Sequence, residues 1–154
     1  MSTIVFRLSN EYKDVALVHD NLYSYNLSKT GHDRQDIKAT SNVGQLTIVV
    51  EDEKGLFLGG ISFHPMEEKD KLYVDYLFLS SALRGKGVGK KLFLEFEKYA
   101  KEQGVSEIHL TTNTFQAPDF YQSIGFEIVS TKESPTPLVP ENIHYSLCKK
   151  LVDW

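Results

Sequence analysis

The stretch Leu79-Ser80-Ser81-Ala82-Leu83-Arg84-Gly85-Lys86-Gly87-Val88-Gly89-Lys90-Lys91 decides how this chain folds. An apolar run, Leu72 to Leu79, leads into a turn with three alternating glycines. The turn leads into Val88, Leu92, Phe96 and Ala100, the i, i+4, i+8 and i+12 positions of an amphipathic helix that stops at Gly104. Glycines remove the Cβ atoms that hold a ligand away from the backbone, and they permit positive φ. The first N–H groups of a helix have no intrahelical partners and sit at the positive end of its dipole. Arg84, Lys86 and Lys90 add formal charge, so the turn reads as an anion site suited to a pyrophosphate. The plainer alternative is a loop that only lets helix and strand pack closely. Three glycines interleaved with cations at a helix start favour the anion site.

Two familiar phosphate motifs fail on spacing. Walker A needs G-x-x-x-x-G-K-[ST], and its best alignment puts Arg84 at the first Gly and Lys91 at the Ser/Thr. The dinucleotide fingerprint needs G-x-G-x-x-G, whereas the spacing here is G-x-G-x-G. A nucleotide-binding module is thereby weakened.

Working outward, Thr3–Leu8 reads as a first strand, and a helix runs from Asn10 or Glu11 to about Leu27 on the stripe Val15, Leu17, Val18, Leu22 and Tyr25. Ser28 to Gly44 reads as a polar loop or short helix. Leu46–Val50 and Leu56–Phe63 are strands joined through a turn at Asp52–Gly55. The fourth strand, Leu72–Leu79, is apolar on both faces: Leu72, Val74, Tyr76 and Phe78 on one, Tyr73, Leu77 and Leu79 on the other. Such a strand lies inside a sheet covered on both sides. Ile108–Thr112, a short helix Pro118–Ile124, and strands Phe126–Thr131 and His144–Leu151 complete the series. The order predicts a mixed α/β sheet with a parallel strand–helix–strand crossover from Leu72 to Thr112.

The 154 residues fit one domain, and eight Tyr and nine Phe supply its core without disulfides. A net charge of −4 argues against a nucleic-acid partner. Cys148 is the only cysteine, which excludes an internal disulfide and a zinc site built on several cysteines. Residues 1–10 show no signal-peptide pattern, and no apolar run is long enough to span a bilayer, so the expectation is a cytoplasmic protein without membrane partners.

Arg84-Gly85-Lys86-Gly87-Val88-Gly89 resembles the R/Q-x-x-G-x-G/A turn of the GNAT superfamily of N-acetyltransferases. Asn113-Thr114-Phe115-Gln116-Ala117-Pro118-Asp119-Phe120-Tyr121-Gln122-Ser123-Ile124-Gly125-Phe126 is similar to that family's region after the fifth strand, ending in F-Y-x-x-x-G-F. The resemblance implies an acetyltransferase domain over residues 1–154. It implies a GNAT-type, mostly antiparallel sheet of six to seven strands, helices on both faces, and a cofactor cleft where the fourth and fifth strands splay apart. The implied reaction is transfer of an acetyl group from acetyl-CoA to a primary amine, in a small molecule or a peptide, by direct attack. A homodimer is left open. The alternative is a non-catalytic acyl-CoA-binding or sensor protein of the same fold.

By the same resemblance, the backbones of Leu77 and Leu79 hold the pantetheine arm, and Arg84, Gly85, Lys86, Gly87, Val88, Gly89 and Lys90 hold the pyrophosphate. Asn113 contacts the cofactor or the acceptor, or caps the next helix. The oxyanion donor is a backbone N–H near Leu77. Tyr121 occupies the general-acid position, and a phenol of pKa ~10 meets a thiolate of pKa ~8.5 at a mismatch of about 2 kcal/mol. Its plainer reading is one more core aromatic beside Phe120. Asp75 is the only acid within Leu72–Leu79. A buried carboxylate is costly unless it faces a polar cleft or has a partner. The resemblance implies that it binds the acceptor ammonium or relays its proton; the plainer reading is a structural carboxylate. An alkyl amine is free base for about one part in a thousand at neutral pH, so a proton acceptor matters. His19, His32, His64, His109 and His144 show no metal-ligand spacing, so no metal is expected. His109 remains a candidate base, and Cys148 reads as a strand filler.

Overall fold

The computed structural model describes residues 3–31 and 38–151. Seven strands form one sheet: β1 (Ile4–Ser9), β2 (Leu46–Asp52), β3 (Phe57–Pro65), β4 (Lys71–Leu79), β5 (Glu107–Asn113), β6 (Glu127–Glu133) and β7 (Ile143–Lys150). The helices are α1 (Tyr12–Thr30), α2 (Val88–Glu102) and α3 (Pro118–Ser123), with a short 3₁₀ turn at Ser81–Leu83. The spatial order is β1-β2-β3-β4-β5-β7-β6, antiparallel throughout except for the parallel β4–β5 pair. This is the expected mixed sheet, with seven strands and helices on both faces. Among the described residues, no helix is long and apolar enough to cross a membrane.

α2 covers one face. Its Leu92, Phe93, Phe96 and Ala100 are fully buried against Ile61, Phe63 and Ile108 of the sheet. Phe96 lies 4.6 Å from Phe63, ring centre to ring centre. α1 covers the other face, where His19 meets the Tyr76 ring edge-on at 5.0 Å.

The structure corrects three expectations. α1 runs to Thr30 instead of Leu27, because Gly31, at φ 70°, supplies a left-handed cap whose N–H bonds back to Leu27 O at 2.9 Å. Ser28–Thr30 therefore belongs to the helix, while residues 32–37, His32 among them, lie outside the described residues. Leu17 is exposed, since the stripe that faces the sheet is Val15 and Val18. The third correction bears on function. β4 does not alternate strictly: Ser62 pairs with Tyr76 and Phe63 with Val74, so Asp75 is the extra residue of a β-bulge. Facing parity slips by one there. Leu72, Val74, Leu77 and Leu79 pack on the α2 side, whereas Tyr76 turns to α1.

The start of α1 is fixed by charge. Asp14, 2% exposed, accepts from Ser9 Oγ at 2.5 Å and from Arg7 at 3.3 Å, and Arg7 also reaches Glu51 at 3.0 Å. Burial pushes the Asp14 carboxyl up, but the bonds from Ser9 and Arg7 outweigh it and hold the group below the usual range. A depressed folded-state pKa gives stability that is present above the unfolded value and lost as pH falls through the folded one. Asp14→Asn is therefore expected to lower stability by about 1–2 kcal/mol at neutral pH. In urea unfolding the gap from the parent protein should close below about pH 4.

Candidate active site

β4 and β5 pair only at Lys71–Glu107, Leu72–Ile108 and Tyr73–His109, then diverge. The gap is a cleft of about 690 Å³ that runs from Val74 and Leu110 past Leu79 to Arg84 and Gly89. Ser80 N donates to Leu58 O on the β3 side at 2.8 Å. By alternation, the N–H and C=O groups of Leu77 and Leu79 point the other way, into the cleft, where β5 no longer answers them. These are the two residues expected to offer backbone bonds there.

The cleft opens onto the glycine turn through a hollow of about 440 Å³ lined by Arg84, Gly85, Gly87, Val88, Gly89 and Lys90 among others. Gly87 caps α2 at φ 69°, with no side-chain cap on the helix N–H groups. Arg84, Lys86 and Lys90 are exposed and form no ion pair among the described residues. Lys86 does not line the hollow. The arrangement presents free N–H donors and unpaired cations in one concavity, as an anion site requires.

Tyr121 is both core and cleft. Its ring is 7% exposed and packs edge-on against Phe93, Phe120 and Phe126 at 5.5–5.8 Å, yet it lines the cleft. Its hydroxyl has no hydrogen-bond partner among the described residues. Burial pushes the phenol well above the usual tyrosine range. That widens the mismatch with a thiolate, so the group keeps its proton and is a hydrogen-bond donor more than a full acid.

Asp75 projects from the bulge and lines the cleft. His64 Nδ1 is 2.7 Å from its Oδ2, Gln45 Nε2 donates to the same oxygen at 3.3 Å, and Asn42 Nδ2 donates to Oδ1 at 3.4 Å. Burial raises the carboxyl, and the His64 and Gln45 bonds only partly offset it. His64 went unrecognised in the sequence because nothing local ties it to Asp75; only the β3–β4 pairing does.

A second hollow, of about 610 Å³, adjoins the cleft and shares Leu22, Asn26, Tyr76 and Asn113 with it. Asn113 stands at the junction. It does not cap α3, whose N-cap is Ala117 without a side-chain bond. Its amide N–H donates to Gln116 Oε1 at 3.1 Å, and Gln116 reaches Asn26 on α1 at 3.1 Å. Its Oδ1 accepts from Asn142 at 3.1 Å and faces His144 Nδ1 at 3.1 Å. Because that oxygen can only accept, Nδ1 of a neutral His144 carries the proton and Nε2 keeps its lone pair, unpaired among the described residues. Asn142, 2% exposed, donates through its side-chain Nδ2 to Asn113 Oδ1 and Ser134 O, and its side-chain oxygen Oδ1 has no partner among the described residues. Neither residue carried a local signal, since His144 comes to the site through β7 pairing with β5 and Asn142 directly precedes β7.

His109 is not at the cleft, because its Nε2 meets Glu107 at 3.2 Å, at the end where β4 and β5 still pair. Burial and Glu107 push the Cys148 thiol up to about 11, which leaves it a poor nucleophile.

The chain matches the model of the Acetyltransferase (GNAT) family over residues 10–126. It is 34% identical to Blasticidin-S acetyltransferase of Streptomyces morookaense over 51% of this chain and 57% of that protein, little more than half of its length. It is 29% identical to Acetyltransferase Atu2258 of Agrobacterium fabrum over 71% and 72% of the two chains. Among solved structures, an acetyltransferase from Bacillus cereus superposes with a TM-score of 0.62 at 27% identity, covering 88% of this chain and 89% of that one. A Bacillus anthracis protein assigned as a streptothricin acetyltransferase, solved with acetyl coenzyme A, shares the fold at a TM-score of 0.60 and 20% identity, over 71% and 64%.

The turn makes a prediction free of packing effects. A Cβ at Gly87 meets nothing within 4 Å, so a substitution there pays only for its left-handed φ of 69°. Gly87→Val should lower stability by about 1–2 kcal/mol in urea unfolding and leave helical circular dichroism unchanged.

Proposed function

The chain belongs to the Acetyltransferase (GNAT) family, and from that premise we propose that it transfers the acetyl group of acetyl-CoA to a primary amine of a small molecule or peptide. The observation that carries this reading is continuity. An anion turn, a cleft with free strand-edge groups, and a second polar hollow follow one another without a break. Pyrophosphate on Arg84–Lys90, pantetheine along Leu77 and Leu79, and an amine beyond Asn113 and Tyr76 use all three. The single Cys148, with no disulfide partner, suits a reducing cytoplasmic setting.

In this reading the amine nitrogen attacks the thioester carbon. The carbonyl oxygen becomes an oxyanion that the Leu77 N–H stabilises. The C–S bond then breaks, and the thiolate departs accepting a hydrogen bond from the Tyr121 hydroxyl. The proton shed by the amine needs an acceptor. Asp75, made more basic by burial, binds the ammonium or takes its proton. The free Nε2 of His144 favours a second reading, in which the imidazole takes the proton from the side of the second hollow.

Release of free thiol on incubation with a panel of primary amines tests the activity. Amine-dependent release is expected; acetyl-CoA binding without release points to a sensor. Tyr121→Phe should keep acetyl-CoA affinity while turnover falls at least about tenfold. Unchanged turnover removes Tyr121 from the mechanism. Asp75→Asn should raise KM for the amine with acetyl-CoA binding unaltered. If Asp75→Asn is silent and His144→Gln flattens the pH–rate profile, the imidazole is the proton acceptor.

A further inference from the structure

The sheet face turned away from the aromatic core gathers a second set of reactive side chains. Glu107 and His109 are two apart on β5 and so share a face, and Cys148 of β7 is the direct partner of His109. Glu107 Oε1 lies 3.2 Å from His109 Nε2 and 3.4 Å from Cys148 Sγ, and the last two atoms are 3.7 Å apart. A tetrahedral ion bound at about 2.3 Å from sulfur and about 2.0–2.2 Å from nitrogen and oxygen needs donor separations of about 3.3–3.6 Å. The three donors already stand within about 0.2 Å of one face of that tetrahedron.

Orientation is held from outside the triad. Lys71 Nζ lies 3.6 Å from the other carboxylate oxygen, Oε2, which leaves Oε1 turned to the imidazole and the thiol. All three side chains are partly exposed, so water can reach the triad. We propose that Glu107 Oε1, His109 Nε2 and Cys148 Sγ form a site for one divalent transition-metal ion of the zinc class. On binding, the S–H bond of Cys148 breaks, its proton passes to solvent, and the sulfur pair goes to the metal with no change of oxidation state. The donor set selects the ion. A thiolate is not a ligand of calcium or magnesium, which take oxygen. A single thiolate with a carboxylate suits neither copper(I) nor an iron–sulfur cluster. Lys71 and Lys150, the residues opposite Glu107 on the neighbouring strands, oppose a dication, so the thiolate must supply much of the affinity.

No sequence pattern announces this site, since Cys148 is 39 residues from His109 and only the β5–β7 register joins them. Its effect is mechanical: the ion staples β5 to β7 at the end opposite Asn113. The plain alternative is a histidine–carboxylate pair with a thiol beside it.

Cobalt(II) titration of the full chain, after chelator treatment, separates the two. A site with these ligands gives one-to-one binding, tetrahedral visible absorption, and a near-ultraviolet thiolate-to-cobalt band, all bleached by zinc. Cys148→Ser should abolish the charge-transfer band and weaken zinc by more than about 100-fold, the upper end of what losing even an outer partner costs. Glu107→Gln should weaken zinc while the thiolate band survives at higher cobalt, which covers a serine variant that folds poorly. Acetyl-CoA affinity should be the same with and without zinc. An octahedral cobalt spectrum with no thiolate band, or zinc affinity unmoved in both variants, overturns the proposal.

Discussion

Beyond Tyr73, β4 has lost its neighbour on the β5 side, and the rest of the site depends on how that gap is held open. Buried backbone N–H and C=O groups must find partners, so a strand edge inside the fold is costly unless something fills it. Here the edge at Leu77 and Leu79 faces a cleft instead of a strand. The bulge at Asp75 re-aims the chain at the place where the strands part. It sends Leu77 and Leu79 side chains into the α2 core and Tyr76 toward α1, so one extra residue both anchors the strand and shapes both walls.

Three supports keep the gap from collapsing. Phe93 touches Phe96, Phe120, Tyr121 and Phe126, a cluster that ties α3 to α2 and fixes the Tyr121 ring. The amide chain Asn26–Gln116–Asn113–Asn142 links α1 to β5 and β7 across the far side. At the near end, the turn of 84–87 delivers α2 with its uncapped N–H groups toward the cleft. Apolar packing, amide bonding and a helix terminus each set one boundary, and the ligand space is what they leave between them.

The sequence was most legible where the chemistry is local. The glycine turn, the α2 stripe and the Phe120–Tyr121 helix are contiguous, and each lies within a residue or two of its expected place. Strict alternation misassigned Tyr76, Leu77 and Leu79 because a bulge carries no composition signal. Asn113 was open to reading as a cap, and the observed cap at Ala117 leaves it free to organise Asn142 and His144. His64, His144 and Asn142 stayed hidden since register between distant strands, not spacing, brings each to its partner. α1 outran its expected end because Gly31 outweighs the polar run before it as a stop signal.

The central claim is that the Arg84–Gly89 turn and the splayed strand edge form one site for an acyl-CoA. Calorimetric titration with acetyl-CoA, beside ATP and NAD, tests it most directly. The account predicts selective one-to-one binding of acetyl-CoA, with much weaker heats for the two nucleotides. Absence of acetyl-CoA binding, or tighter binding of ATP or NAD, would contradict it and reduce the glycine turn to a packing element.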